Sequence, residues 1–390
     1  MADDIEIASA PNWALLVTAV AATLISILGF FGNLLTILAL PYSLRLRNAA
    51  TWFVVNLAFA EGMFCVTILP MSAAQLFHLY VAQKPLITSG CKVFVFLRYV
   101  NIQAELLSIA AIAVNRCILI AVPKKYPKIY TGAKTVLIIT AIWVVSIFIM
   151  LIPLLEIYGH LGYNKETKEC DFVGDGNEGP RKLFLGLGFL LPCAVIIASY
   201  SYIFYKARQS SVKVQARRNN SLNSTANGDL RNSRPAEGLR SRDIRIARTI
   251  GVIFLAFLIC CTPVSIVHYL YKKLQTPTLL LLLHPLYWAQ YCINIFIYVF
   301  MNRQYRDAYV NYISRWWPDF RELSRRNFKW KEEPTSDSGR RASRAHTPSS
   351  VVKFAARKTS KNSLRSPNDP SGTPKNDGKA GTPMLSDTRI

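Results

Sequence analysis

Apolar runs long enough to cross a bilayer occur at about 13–40, 50–78, 90–121, 133–157, 183–205, 246–271 and 277–301. Between them the chain turns polar, and beyond 317 it stays polar to the end. The pattern predicts an all-α membrane protein, a bundle of seven transmembrane helices over 13–316. It is preceded by a short segment at 1–12, broken by a flexible loop at 207–242 and followed by a disordered basic tail at 317–390. The third run is unusual because it carries polar residues. Cys91, Arg98 and Glu105 recur every seven residues, and Arg116 follows about three turns later, so all four share one helix face. Ionisable groups inside a bilayer are costly and normally face a bundle interior. Arg98 and Arg116 lie roughly 27 Å apart on an ideal helix, near opposite membrane surfaces. One helix thus has polar stations at its outer end, its middle and its inner end, a layout suited to sensing on one side and reporting on the other.

Composition supports the membrane reading. The 390 residues are 51% hydrophobic yet carry a net charge of +23, and the mean hydropathy is +0.22. Most of the charge is confined to two stretches. Residues 206–248 hold 11 Lys/Arg against 3 Asp/Glu, and residues 303–390 hold 19 against 9. Beside apolar runs, such basic stretches mark cytoplasmic loops and argue against nucleic acid as the partner. Seven runs place the termini on opposite sides. Asp3, Asp4 and Glu6 precede the first run and Arg45 and Arg47 follow it, so the N-terminus is expected outside and the tail inside. No basic n-region is present, so the first span is expected to act as the anchor. Of eight cysteines, Cys65, Cys117, Cys193, Cys260, Cys261 and Cys292 lie in or beside spans. Only Cys91 and Cys170 are placed to meet in an oxidising compartment, where a disulfide would tie the second outer loop to the third helix. The sequons at Asn219 and Asn223 fall in an inner loop, where they should stay unglycosylated.

Several short motifs occur in a fixed order: Gly32-Asn33, Leu57-Ala58-Phe59-Ala60-Glu61, Asn115-Arg116-Cys117 with Pro123 and Tyr126, Trp143 with Pro153, Pro192 with Tyr200, Phe257-Cys260-Pro263, and Asn294-Ile295-Phe296-Ile297-Tyr298. Together they resemble the rhodopsin-like G-protein-coupled receptors over about 13–316. Tyr305 falls where that family carries an aromatic residue on an amphipathic eighth helix, expected at 303–316 without a cysteine for palmitate; Trp316 and Trp317 are available as interfacial anchors. Within the family, the Asn-Arg pair and Arg98 are most similar to the insect group of moody and trapped-in-endoderm receptors, near the melatonin-like receptors. That likeness implies a role in cell migration, polarity or barrier formation through an inhibitory-type G protein.

The resemblance assigns the stations. At the inner end, Arg116, Tyr200 and Tyr298 belong to the G-protein switch, and Asp243 is the expected acidic partner of Arg116; alternatively Asp243 only balances Arg242 and Arg245 on a solvated helix end. Asn115 replaces the usual acid and is expected to raise basal signalling or alter coupling kinetics. In the middle, Glu61, Glu105 and Asn294 stand where relatives bind sodium. Two neighbouring carboxylates cannot both ionise cheaply, which predicts either a sodium- or proton-sensitive site or a shared-proton bond that fastens the second helix to the third. Near the outer end, Arg98 argues against an amine ligand and favours a carboxylate or phosphate, unless it snorkels or pairs with Glu169 or Asp171 of the second outer loop. Tyr99, Asn101, Gln103, His268, Tyr269 and Tyr287 are the further pocket candidates. Cys261 replaces the usual sixth-span tryptophan, leaving Phe257 or Trp288 for that part. Pro153, Pro192 and Pro263 are expected to bend their spans, and Ile295, in place of a proline, to straighten the seventh.

Ser343 follows Arg340 and Arg341, and proline follows Thr347, Ser366, Thr373 and Thr382, so the tail offers kinase sites. Ser343 and Thr347 are the leading candidates, phosphates there would recruit arrestin through charge after receptor kinases act, and Ile390 fits a PDZ groove. The expected setting is the plasma membrane, with a heterotrimeric G protein as partner and no cofactor or resident metal beyond sodium or a proton at the two carboxylates. A transporter or channel lined by Arg98, Glu61 and Glu105 is the alternative, disfavoured by the odd span count and the lack of internal repeats. No lysine lies between Lys273 and Lys329, which excludes a retinal Schiff base on the seventh span, and no catalytic constellation is visible.

Overall fold

In the computed structural model of the chain, the described residues are 11–84, 86, 90–164, 169–173, 178–223, 248–267 and 277–327. They form seven helices long and apolar enough to span a membrane. The first four are Asn12–Tyr42, Ala49–Ala82, Cys91–Ala121 and Gly132–Leu154. The fifth is Leu191–Asn223, entered through Glu178–Leu185 and a π-helical segment, Gly186–Leu190. The sixth is Arg248–Val267 and the seventh Pro277–Met301. A short amphipathic helix, Arg303–Ile313, follows. Polar side chains start several of these elements. Asn48 Oδ1 accepts from the Thr51 N–H and Thr131 Oγ1 from the Lys134 N–H, each satisfying a donor that the first turn leaves open. The apolar surface is turned outward as well as inward, with Phe31, Phe148, Phe204 and Phe300 each more than half exposed. That distribution is expected where lipid, not water, is the solvent.

The second and third spans are the most buried and the first, fourth, fifth and seventh lie nearer the rim. Small and polar residues hold the helices together, because apolar contact alone gives helices no preference for one another over lipid. Ser26 Oγ donates to the Cys65 carbonyl at 2.6 Å and Asn33 Nδ2 to the Tyr291 carbonyl at 2.9 Å, joining the first span to the second and seventh. A Cβ on Gly29 would stand 2.5 Å from Cys65 Sγ and 3.0 Å from the Tyr291 oxygen, so only glycine permits this approach. Asn56 bridges three spans: its Nδ2 donates to Ser108 Oγ at 2.7 Å, and its Oδ1 accepts from Trp143 Nε1 at 2.9 Å.

Two features go beyond the expected pattern. Leu161–Asn164 (β1) and Glu169–Phe172 (β2) pair as an antiparallel hairpin in the loop after the fourth span. The fifth-span helix continues to Asn223, so part of 207–242, read from its polar composition as flexible loop, has helical backbone. Gln, Lys, Arg, Ala and Ser supply adequate helix propensity there, and neither proline nor glycine intervenes before Gly228. Prolines lie within the first, second, fourth, fifth, sixth and seventh spans at Pro41, Pro70, Pro153, Pro192, Pro263 and Pro285.

Candidate functional site

The three stations of the third span are occupied as its spacing predicts. Cys91 heads the helix and is disulfide-bonded to Cys170 of β2. This bond draws the hairpin onto the bundle, where Leu161, Cys170 and Phe172 are buried with Phe64, Phe94 and Tyr291 in one apolar cluster. Two turns along the third span, Arg98 meets the same strand. Its Nη2 donates to the Cys170 carbonyl at 2.9 Å and lies 3.4 Å from Asp171 Oδ1. Tyr99 Oη donates to the same Asp171 oxygen at 2.8 Å. The rings of Phe94 and Tyr99 flank the guanidinium at 5.7 and 5.2 Å. Asp171 is one of the two acids weighed as partners of Arg98; the side chain of the other, Glu169, lies outside the described residues. Asn101 and Gln103 are buried on the same helix, and Gln103 lies beside Gly188 of the π-helical segment. His268 and Tyr269 lie outside the described residues.

Outside the membrane, Lys92 donates to the Glu156 carboxylate just beyond the fourth span. This hydrogen bond and the lysine's charge hold the Glu156 carboxyl below the usual carboxylate range, with a smaller contribution from His160.

At mid-bundle, Glu61 and Glu105 are both fully enclosed. Asn294 Nδ2 donates to Glu61 Oε1, and Asn33 also faces the Glu61 carboxyl. Glu105 faces the Tyr291 hydroxyl, while its Oε2 has no hydrogen-bond partner among the described residues. Tyr291 itself was not evident as a site residue. It stacks on Phe64 with centroids 3.9 Å apart and lies 3.3 Å, hydroxyl to hydroxyl, from Tyr287. The signal was present in the spacing: Tyr287, Tyr291, Asn294 and Tyr298 recur at helical intervals and line one face of the seventh span. Cys261, in the tryptophan's place, donates to Gln290 Oε1 at 3.1 Å, and Trp288 and Phe257 are both buried.

At the opposite end, Asn115 is enclosed and exchanges hydrogen bonds with Tyr126 Oη, 3.1 Å from Nδ2 and 3.3 Å from Oδ1. The Tyr130 hydroxyl also meets it. Arg116 is 5% exposed and has no carboxylate partner among the described residues. Its guanidinium instead meets the Tyr305 hydroxyl, which also contacts Thr51. Arg116 Nε, Tyr200 Oη and Tyr298 Oη are all buried without hydrogen-bond partners among the described residues. Tyr305 is the residue whose importance its position alone did not reveal: an aromatic was expected, and its hydroxyl adds a bond to the arginine. Asp243, Ser343, Thr347 and Ile390 lie outside the described residues.

The bundle compares closely with known proteins. Squid rhodopsin superposes with a TM-score of 0.66 at 20% identity, covering 87% of this chain and 93% of that one, which shows a shared fold. Protein trapped in endoderm-1 of Drosophila melanogaster is 32% identical over 308 residues, 77% of this chain and 78% of its own. The G-protein coupled receptor moody of the same species is 30% identical over 339 residues, 75% of this chain and half of moody's length. The family described as 7 transmembrane receptor (rhodopsin family) matches residues 32–298, more than half of the chain. Its members are receptors that couple to heterotrimeric G proteins and are not enzymes. With seven spans, a disulfide-anchored hairpin and the motifs in register, the chain belongs to the rhodopsin family of seven-transmembrane receptors.

Proposed function

We propose that the chain is a plasma-membrane receptor, N-terminus outside, that responds to an extracellular anionic or lipid-like ligand and activates an inhibitory-type G protein. The setting of Arg98 supports this reading, its guanidinium lying against the Phe94 and Tyr99 rings near the outer end of the third span. Its pairing with Asp171 is the loop contact weighed above against a ligand role, so an anion has to displace that carboxylate. An arginine that meets the Asp171 carboxylate, with two aromatic rings beside it, is a site that a competing carboxylate or phosphate can enter by displacing Asp171. Displacement would loosen the hairpin from the third span. Tyr287 and Tyr291 connect that end of the bundle to Glu105, and Tyr298 and Tyr305 continue the series to Arg116. Asp243 is proposed as the resting acidic partner of Arg116 and the carboxylate pair as the point where sodium or protons modulate the switch. Likeness to the two fly receptors supports a role in cell migration, polarity or barrier formation.

The test is G-protein dissociation in cells expressing the chain, screened against anionic lipids and other anionic compounds. Wild type, Arg98→Ala and Asp171→Asn are run in parallel. An anionic agonist should lose potency on Arg98→Ala and gain it on Asp171→Asn. An agonist equally potent on Arg98→Ala rejects the anion site, and dissociation of a different G-protein class rejects the inhibitory assignment.

A further inference from the structure

The third, fourth and fifth spans leave a groove of about 310 Å³ between them, on the half of the bundle nearer Arg116. Its walls are Leu107, Ala111 and Val114 from the third span, Ile138 from the fourth, and Pro192 and Val195 from the fifth. The two alanines in succession, Ala110 and Ala111, keep the third span's side of the groove shallow enough to stay open. Tyr130 closes one end, edge-on to Phe53 with centroids 6.1 Å apart. The lining is apolar apart from the Tyr130 hydroxyl, and Leu191 at the rim is 56% exposed on the lipid-facing surface.

Charge tells what should fill it. Between Glu105 and Glu156 the chain has no acidic residue, while Lys124, Lys125, Lys128 and Lys134 are all exposed on the segment that leads through Tyr130 into the fourth span. Lys134 lies four residues before Ile138, on the same helix face and one turn nearer the membrane surface. Its Nζ donates to the backbone carbonyl of Lys128 at 2.9 Å, which brings the Lys134 ammonium to the segment that carries Lys128 and Tyr130. An apolar slot ending at a cluster of lysines and no acids matches one amphiphile: an acyl chain with an anionic headgroup.

We propose that this groove is a binding site for an anionic phospholipid of the leaflet that the 122–131 loop faces. One acyl chain lies along Ala111 and Ile138, and the headgroup pairs with Lys128 and Lys134. The site reaches the switch through one residue. Tyr130 forms the groove's end wall, and its hydroxyl meets Asn115, the neighbour of Arg116. A chain pressed against the Tyr130 ring therefore bears on the hydrogen bonds of Asn115, so occupancy regulates the arginine from the lipid side. The site depends neither on the ligand class nor on the G-protein type proposed above.

The full chain is reconstituted in nanodiscs of phosphatidylcholine carrying a trace of photoactivatable lipid. The same diazirine-bearing acyl chain is supplied on either phosphatidylserine or phosphatidylcholine, and labelled peptides are mapped after illumination. Phosphatidylserine should label residues 107–114 and 191–195 on the order of tenfold more than phosphatidylcholine, given the two lysines at the headgroup. Ala111→Phe should remove that labelling and spare labelling elsewhere. Lys128→Gln with Lys134→Gln, both on exposed positions, should bring phosphatidylserine down to the phosphatidylcholine level even if the groove-filling variant does not fold. Equal labelling by the two lipids, labelling indifferent to both variants, or competition by cholesterol but not by unlabelled phosphatidylserine would each overturn the proposal.

Discussion

Restoring a carboxylate beside Arg116 should quieten the receptor. In Asn115→Asp the hydrogen bonds with Tyr126 and Tyr130 survive, because either hydroxyl can donate to a carboxylate in place of the exchange seen with Asn115. Each becomes charge-assisted and therefore stronger. The new element is a negative charge next to a buried guanidinium whose Nε has no acceptor among the described residues. Two unit charges about 5 Å apart attract by roughly 3 kcal/mol at an effective dielectric of about 20. The desolvation of the new carboxylate is common to the resting and active conformations and largely cancels between them. What differs is the arginine, which must leave the carboxylate to engage a G protein. If a third to two thirds of the attraction is lost on activation, the resting state gains about 1–2 kcal/mol, and basal activity falls roughly five- to thirtyfold. The assay is agonist-free nucleotide exchange on a purified G protein by receptor in nanodiscs, normalised to folded receptor. Asn115→Ala serves as the control, since it deletes the tyrosine bonds without adding charge. An unchanged or higher basal rate in Asn115→Asp refutes the reasoning, and so does an equal fall in Asn115→Ala.

Other expected outcomes concern stability. Gly29→Ala forces a Cβ against Cys65 and the Tyr291 backbone oxygen and should cost about 1–3 kcal/mol, read as a lower Tm of the purified receptor; adding Cys65→Ala should recover only part, because the backbone contact remains. Asn56→Ala breaks the bonds to Ser108 and Trp143 together and strands the half-buried indole N–H; a loss of about 1–3 kcal/mol is expected in the same measurement. Lys92 holds Glu156 ionised below the usual carboxylate range, so the pair's stabilisation is present at neutral pH and is lost as pH falls through that lowered value. Glu156→Gln should therefore differ slightly in Tm from wild type at pH 7, and the two should converge on acidification.

The spans were legible because a membrane segment is long and apolar, and hydropathy needs no knowledge of partners. The third-span stations were legible because a fixed spacing of seven keeps residues on one face. The contact of Arg98 with Asp171 was not legible, since it depends on the hairpin register. Cys170 is fixed by its bond to Cys91, and only then do its carbonyl and the next side chain fall beside Arg98, two turns below. The hairpin itself is two strands of four residues, too short for periodicity to declare. The helical stretch to Asn223 was hidden by polar composition, which reports poor burial and says nothing against backbone hydrogen bonding. Tyr305 shows a further limit. Sequence gave an aromatic on the amphipathic helix, but one oxygen atom, aimed at Arg116 and Thr51, makes it part of the switch.

The junction at Asn302 has a consequence for how this chain tolerates change in length. Only this residue separates Met301 from Arg303. Its N–H bonds to the Tyr298 carbonyl at 3.0 Å and its Oδ1 accepts from Gln304 and Tyr305. Arg306 reaches back across it to the Val299 carbonyl, and the rings of Tyr298 and Tyr305 meet at 5.4 Å. The two helices are therefore geared: a turn of one is passed to the other without slack. A single inserted residue would advance the following helix by about 100° and 1.5 Å, carrying the Tyr305 hydroxyl away from Arg116 while leaving every apolar span intact. Substitutions near this joint should be far better tolerated than a change in its residue count, so that here chain length itself is a functional parameter.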